Sequence, residues 1–376
     1  MDKIKVLQVN KLYAPHTGGV EKVVQDLAEG LKDEVDMKVL VCQNRGKTSV
    51  EFVNGVEITR AGSLGILFSM PLSISFFSHL RRLSKDRDIV HFHMPFPLGD
   101  AAFFLSGFKE KVVVWWHSDI VRQKLLAKLY KPLMDKFLKR ADCIIVATQE
   151  HIDSSQYLSP YRHKCVIIPF GIDVHAFTGA SLQGHPELPT KINEIKNLLF
   201  VGRLIYYKGV SVLLDAFSMV HGARLHIIGD GPLKPQLEQQ AKGLGIAENV
   251  IFWGKVDDEQ MKKLMHDCDM LVLPSIANSE AFGLVQIEAM ACSKPIINTS
   301  LPTGVPYVSL HGQTGLTVTP GDAAALGKAI QRLVDNDVER LEMGARARER
   351  AEKFFSLSGM LGNVYKQYKS LLGNHP

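Results

Sequence analysis

The stretch "SEAFGLVQIEAMA", Ser279 to Ala291, carries two carboxylates, Glu280 and Glu288, eight positions apart around a Phe282-Gly283-Leu284 turn that opens a helix. Free backbone N–H groups at such a helix start, together with the helix dipole, make an anion site suited to phosphate. Gly283 has no side chain, so the backbone there can come close to a ligand. Carboxylates accept hydrogen bonds from sugar hydroxyls, often from both members of a diol. Glu280 in the loop and Glu288 a turn and a half into the helix can bracket one ligand from different heights, and a phosphate flanked by two polyols is a nucleotide sugar. The plainer alternative makes both glutamates solvated acids that favour the positive end of the helix dipole.

Other segments add to the first reading. "LLFVGRLIYYKGVSVLLDAF" ends a strand at Gly202 and supplies Arg203 and Lys208 before a helix starting near Val210. Two cations at a strand-to-helix turn neutralise a diphosphate, Arg by its planar fork and Lys as a point charge; in isolation they are two exposed loop cations. Gly18 and Gly19 follow the first strand and precede a helix carrying Val20, Val23, Val24 and Leu27. They do not form the G-x-G-x-x-G dinucleotide fingerprint, but they permit close approach to the backbone. His117 closes the strand "KVVVWWH", with Asp119 two residues on, and is suited to hydrogen-bonding a sugar hydroxyl or assisting proton movement. The alternative is a structural histidine capping the strand end. His91 and His93 in "DIVHFHM" read as one buried and one cleft-lining residue, and with no third ligand at suitable spacing no metal is expected.

The elements that must position these residues are short β-branched runs alternating with helical patterns: "KIKVLQVN", "MKVLVCQ", "DIVHFHM", "KVVVWWH", "DCIIVAT" and "KCVIIPFGID", then "NLLFVGR", "RLHIIGDG", "NVIFWGKV", "MLVLPS" and "KPIINTS". Continuous apolar strands separated by helix-length segments mean parallel sheets covered on both faces. The pattern occurs twice, and 376 residues exceed what one core sustains, so the expected fold is α/β with two doubly wound Rossmann-like domains facing a cleft. The boundaries read as an N-terminal domain at 1–173, a Gly/Pro/Ser/Thr-rich linker at 174–193, a second domain at 194–355, and a C-terminal helix at 356–376 able to cross back to the first domain.

Composition narrows the classes further. Hydrophobic content of 46% and charge of 22% are ordinary for a globular chain. The net charge of +5 sits in the first 185 residues, which hold 24 Lys+Arg against 19 Asp+Glu. The N-terminus lacks the features of a signal peptide, and five scattered cysteines fit a reducing cytosol. "LGILFSMPLSISFFSHL", Leu64 to Leu80, is short for a membrane span, carries Pro71, and reads as a buried or interfacial helix. Arg122 to Arg140 carries seven cations and one acid interleaved with leucines and aromatics, which suits an anionic membrane surface; an ordinary core helix with a solvated face is the alternative. Nucleic-acid binding lacks its aromatic platforms and strongly basic domain.

Five segments in order resemble the GT-B glycosyltransferases of family 4. "SEAFGLVQIE" looks like the E-x7-E motif, "GRLIYYKG" resembles G-R-x-x-x-x-K-G, "HTGGVE" the N-terminal Gly-Gly loop, "IPFGID" the P-x-G-I/V-D interdomain segment, and "HIIGDGP" the G-x-G-P strand end. The resemblance runs over nearly the whole chain. It implies that Arg203 and Lys208 hold the donor diphosphate, that Glu288 binds the ribose, and that Glu280 with the backbone of Phe282, Gly283 and Leu284 contacts the donor sugar and its phosphate. It further implies that Gly19, with Gly18 beside it, lies near the diphosphate and His117 by the transferred sugar. Main-chain groups of Gly254, Lys255 and Val256 are expected to read the base. Ala281 and Ser293 stand where the family frequently has Gly, which bears on sugar specificity rather than on the reaction.

The resemblance implies retention of anomeric configuration without a metal or other cofactor, the nucleotide sugar being a substrate. Stabilising the leaving diphosphate is the largest lever available to Arg203, Lys208 and the helix start, and with Glu288 at the ribose the expected course is front-face displacement without a covalent adduct. Segments "HFHMPFPLGDAA" and "LPTGVPYVSLHGQTGLTV" resemble bacterial rhamnosyl/mannosyl-type enzymes of lipopolysaccharide and O-antigen assembly. This favours a GDP-sugar over a UDP-sugar, a lipid-linked glycan acceptor, and a cytoplasmic protein peripheral on the inner face of the membrane. The rivals are a UDP-sugar-dependent transferase, a sugar-nucleotide epimerase of the same fold, and a non-catalytic nucleotide-sugar-binding subunit.

Overall fold

The computed structural model describes residues 3–15, 18–67, 70–119, 124–177 and 195–373. The chain divides into two compact units, Met1–Phe170 with Ser358–Pro376, and Gly171–Leu357. Of the expected linker, Val174–Phe177 forms one 3-10 turn and the remainder lies outside the described residues.

The first unit contains β1 (Ile4–Val9), β2 (Val35–Cys42), β3 (Ser49–Val53), β4 (Val56–Ala61), the two-residue strands β5 (Ile66–Leu67) and β6 (Met70–Pro71), β7 (Ile89–Met94), β8 (Lys111–Trp116), β9 (Cys143–Val146) and β10 (Cys165–Ile167). Its main sheet runs in the order β10-β9-β8-β7-β1-β2-β4-β3. All neighbours are parallel except β3, which pairs antiparallel with β4 at the edge. The helices are α1 (Gly19–Gly30), α2 (Ser75–Leu83), α3 (Pro97–Ser106), α4 (Lys124–Arg140) and α5 (Gln149–Ser154). Every residue of β7 and β9 is buried, as strands covered on both faces must be.

The second unit holds β11 (Lys196–Val201), β12 (Ala223–Ile228), β13 (Val250–Gly254), β14 (Met270–Val272), β15 (Ile296–Thr299) and β16 (Gly315–Val318). They form a parallel sheet in the order β13-β12-β11-β14-β15-β16. Helices α6 (Val210–Phe217), α7 (Lys234–Gly243), α8 (Asp258–Asp267), α9 (Leu284–Ala291), α10 (Val305–Val308), α11 (Ala323–Asp335) and α12 (Asp337–Phe354) accompany it. Helix α13 (Leu357–Leu371) follows, and from Ser358 onward it is part of the first unit, burying Met360, Val364 and Tyr368 there.

Each sheet reverses its strand order once, between β1 and β7 in the first unit and between β11 and β14 in the second. At such a reversal the connections leave the carboxyl ends of adjacent strands toward opposite faces, which opens a crevice for a ligand.

Two local expectations are corrected. Leu64–Leu80 is not one helix. Leu64 N–H donates to Leu72 O at 2.9 Å, and β5 pairs with β6. The helix α2 starts only at Ser75, because Pro71 lacks an N–H and cannot sit in a helix interior. Leu64, Ile66, Leu67, Leu72 and Ile74 are exposed rather than buried. None of the described helices is long and apolar enough to cross a membrane.

The second correction concerns His91 and His93, which are both fully buried. They lie two residues apart on one face of a central strand, and Tyr368 of α13 covers that face, its hydroxyl 2.6 Å from His91 Nδ1.

Candidate active site

In the second unit the candidate residues collect where the sheet reverses. Strand β11 ends at Val201, and the chain then turns through Arg203 and a 3-10 turn, Tyr206–Lys208, into α6. Strand β14, its neighbour, ends at Val272 and leads through Ser275 and Glu280 into α9. The side chains of these two loops meet: Lys208 Nζ lies 2.6 Å from Glu280 Oε2. Ser275 Oγ donates to the same carboxylate oxygen at 2.9 Å, and its own carbonyl accepts from Thr299 Oγ1 at 2.6 Å. Glu280 is 7% exposed, so the pair is nearly desolvated and its geometry is fixed.

Gly209 makes this position of Lys208 possible. Its φ is +68°, and a Cβ there would stand 2.1 Å from the carbonyl oxygen of Pro274. The two loops therefore pack backbone to backbone, which Ile276 N–H reinforces by donating to Tyr207 O at 2.8 Å. Arg203 remains exposed, its Nη2 reaching Tyr207 Oη at 3.4 Å. A guanidinium carries five N–H donors and an ammonium three, so both cations keep donors for an incoming anion.

The start of α9 is held from beneath. Gly283 is its N-cap at φ +72°, and a Cβ there would meet Leu273 Cδ2 at 2.6 Å. Gln286 Nε2 donates to Phe282 O at 2.9 Å, and Asn298 Nδ2 donates to Gln286 Oε1 at 2.9 Å. Asn298 Oδ1 accepts from Thr317 Oγ1 at 2.7 Å. Gln286 and Asn298 are both completely buried, so this network, absent from the expectations, ties the turn to β15 and β16. Its signal in the sequence was a glutamine within the apolar run "FGLVQIE". Phe282 is buried edge-on against Phe355, with ring centroids 5.9 Å apart. Glu288 lies in the second turn of α9 and is half-buried. Gly254 ends β13 with φ +69°, its carbonyl accepting from Gly229 N–H at 2.8 Å, and the main chain of Lys255 and Val256 continues beyond the ladder.

In the first unit, Gly18 is the N-cap of α1 with extended backbone, and Gly19 opens the helix. His117 follows β8 and is 6% exposed. It belongs to a stack with His91, His93, Trp115 and Phe170. The Trp115 ring lies 5.9–6.1 Å from the three imidazoles, and Phe170 lies 5.5 Å from His117 at 4°. Hydrogen bonds run through the stack: His117 Nε2 to His93 Nδ1 at 2.8 Å and His93 Nε2 to Gln8 Oε1 at 2.5 Å. Burial pushes His91 down to about 3 and drives His93 and His117 well below the usual histidine range, with neighbouring histidines adding to the effect on both. All three are neutral imidazoles. Asp119 accepts from Trp116 Nε1 at 2.9 Å and Ser155 Oγ at 2.7 Å, which places it in the scaffold beside His117.

The family model for Glycosyltransferase Family 4 matches residues 17–176, and that for Glycosyl transferases group 1 matches 189–351. D-rhamnosyltransferase WbpZ of Pseudomonas aeruginosa is 36% identical over 94% of this chain and 92% of its own length. O-antigen chain mannosyltransferase C of Escherichia coli is 32% identical over 98% and 99%. Among solved structures, sucrose-phosphate synthase of Thermosynechococcus elongatus superposes with a TM-score of 0.80 at 20% identity, covering 99% of this chain and all of the other. Anabaena HepE in complex with UDP and glucose gives 0.78 at 19%, covering 98% and 100%. The two parallel sheets and these matches have one meaning: the chain is a hexosyltransferase of the GT-B fold, belonging to the group 1 glycosyltransferases of family 4.

Proposed function

We propose that this enzyme moves a mannose- or rhamnose-type hexose from a GDP-sugar to a lipid-linked glycan in lipopolysaccharide or O-antigen assembly, with retention at the anomeric carbon. The observation that carries the reading is the Lys208–Glu280 pair at the strand reversal, beside Arg203 and the start of α9. The donor diphosphate takes its charge balance from Arg203, Lys208 and the first N–H groups of α9, with Phe282, Gly283 and Leu284 supplying the backbone. Gly18 and Gly19 border the diphosphate, Glu288 accepts from the ribose diol, and the main chain of Gly254, Lys255 and Val256 reads the base. Glu280 and His117 contact the transferred sugar.

Cleavage of the sugar–phosphate bond concentrates negative charge on the leaving diphosphate. Lys208 then shifts its donors from the Glu280 carboxylate to the phosphate oxygen, an interaction stronger in the transition state than in the ground state. The acceptor oxygen attacks from the face the diphosphate leaves, and its proton passes to the departing phosphate.

The names of the rhamnosyl and mannosyl relatives support the sugar class and the O-antigen setting. Exposed Lys128, Lys131, Lys136 and Lys139 on α4, with Leu129 74% exposed among them, support docking of the first unit on an anionic membrane surface. Arg122 of the same basic run lies outside the described residues.

Calorimetric titration with GDP, UDP, ADP and TDP, followed by the matching sugar nucleotides without acceptor, tests the donor. GDP preference supports the reading, and UDP preference replaces the donor. Absence of binding to any of them removes the site. A rearranged sugar released without acceptor would make the protein an epimerase.

A further inference from the structure

We propose that Gln8 and Tyr368, acting through His93, hold His117 in the Nε2–H tautomer and leave its Nδ1 as a bare acceptor for a ligand hydroxyl. The tautomer assignment stands on contacts within the first unit; the ligand hydroxyl rests on the reading above that His117 lies by the transferred sugar.

The argument starts at Gln8. Its amide oxygen, 2.5 Å from His93 Nε2, has no proton to give, so His93 donates through Nε2. A neutral imidazole carries one N–H. His93 Nδ1 is therefore an acceptor, and the only donor available to its 2.8 Å contact is His117 Nε2. His117 in turn has spent its single N–H, and Nδ1 keeps a lone pair with no partner among the described residues. In the other direction, Gln8 Nε2 donates to the Tyr368 hydroxyl at 3.4 Å, and that hydroxyl lies 2.6 Å from His91 Nδ1. Three hydrogen bonds thus point one way, from His117 through His93 and Gln8 to Tyr368.

Reversing any one of these three requires reversing the others, beginning with the Gln8 amide; the Tyr368 hydroxyl has two lone pairs, so its contact with His91 is not part of the constraint. Gln8, His93 and Tyr368 are completely or almost completely buried, so no water stands in for a lost partner. Trp115 clamps the planes of the three imidazoles, lying 5°, 15° and 8° from those of His91, His93 and His117. Gln8, His93 and Tyr368 are positioning residues, since they act on the ligand only through His117.

A lone pair is the useful end to present to a glycosyl donor. As positive charge grows on the sugar ring, a ring hydroxyl becomes a better donor, and its bond to a bare nitrogen tightens in the transition state. An N–H directed at the same place would repel the developing charge.

The test is nitrogen NMR of the full-length protein labelled at histidine, with His117 assigned through His117→Gln. The expected wild-type result is a protonated Nε2 and an unprotonated Nδ1 for His117. Gln8→Met, which keeps volume and removes the amide, should give a tautomeric mixture at His93 and His117, while His93→Asn, whose side-chain oxygen can replace Nδ1, should keep His117 at Nε2–H. If Gln8→Met fails to fold, Tyr368→Phe, which lets the amide turn over, carries the same readout. A wild-type His117 protonated at Nδ1, or a tautomer unmoved by these substitutions, overturns the proposal. Turnover separates the two levels: Gln8→Met should lose about tenfold in kcat, the scale of one hydrogen bond, with KM for the donor little changed. A released tautomer with full turnover would leave the relay standing and remove His117 from the sugar.

Discussion

Lys208 Nζ stands 2.6 Å from Glu280 Oε2, and the two residues reach each other from loops that follow adjacent parallel strands, β11 and β14. The contact closes the strand reversal of the second unit with one positive and one negative group, each still able to bind a further partner. A ligand with a phosphate on one side and a hydroxyl on the other matches both.

Replacing Lys208 or Glu280 with Ala should lower kcat by roughly 100-fold or more, the scale of removing one stabilising donor from a leaving group or oxyanion. Steady-state transfer assays with circular dichroism as a folding control measure this. Turnover within twofold of wild type in a folded variant would remove the pair from the site.

Gly283→Ala places a side chain at φ +72° against Leu273. A loss of about 1–3 kcal/mol is expected from the backbone conformation, read as a lower urea midpoint. Gln286→Leu should cost a similar amount, about 1–3 kcal/mol, because the Phe282 carbonyl loses the Gln286 donor and Asn298 loses one of its acceptors inside a buried network. Both should also weaken binding of a nucleoside diphosphate, since both loosen the start of α9. A variant destabilised as expected that binds GDP and UDP unchanged would show that this helix start does not hold the diphosphate.

The buried histidines give a pH dependence with a definite sign. His91, His93 and His117 have folded-state values below the ordinary 6.5, so the unfolded chain binds more protons between the two values. Their contribution is complete above about 6.5 and is lost as pH falls, at ~1.4 kcal/mol per pH unit for each imidazole. For His91 the loss levels off only at about 3. Urea midpoints should stay level from pH 7.5 to about 6.5 and fall from there to pH 5, and His91→Phe should reduce that slope by one proton. A flat profile would mean that the histidines are charged inside the fold or that the stack is open to water.

Docking through α4 should appear as binding to vesicles containing phosphatidylglycerol that weakens as salt rises. Lys131, Lys136 and Lys139 changed together to Glu should abolish it while leaving donor affinity intact. Equal binding to neutral vesicles, or no change in the triple variant, would argue for an ordinary solvated helix face.

The parallel sheets were legible because each strand is a continuous apolar run with a helix-length segment after it. The placement of Arg203, Lys208 and Glu280 beyond the ends of β11 and β14 was legible because they sit where those runs stop. The antiparallel edge of β3 and β4 escaped notice although Asn54-Gly55 marks its turn, with both residues at positive φ. Strand β3 alternates in burial instead of forming an apolar run. Leu64–Leu80 misled for the opposite reason, since an apolar run does not reveal that serine and proline have turned it into a hairpin. The surroundings of His91 and His93 depend on Tyr368, which is 277 residues from His91 in sequence, and no local pattern encodes that meeting. Ser275, Gln286 and Asn298 act through buried hydrogen bonds whose partners only the fold selects.

Because Tyr368 belongs to the first unit, that unit is not one continuous stretch of chain. During synthesis its sheet emerges early, yet the hydroxyl that caps Gln8 and His91 is made nearly two hundred residues after Phe170, when the whole second unit has already been translated. The interior around the histidines therefore waits for the ribosome, and any nascent or truncated form ending before α13 leaves Gln8 and His91 without the side chain that covers them in the finished protein.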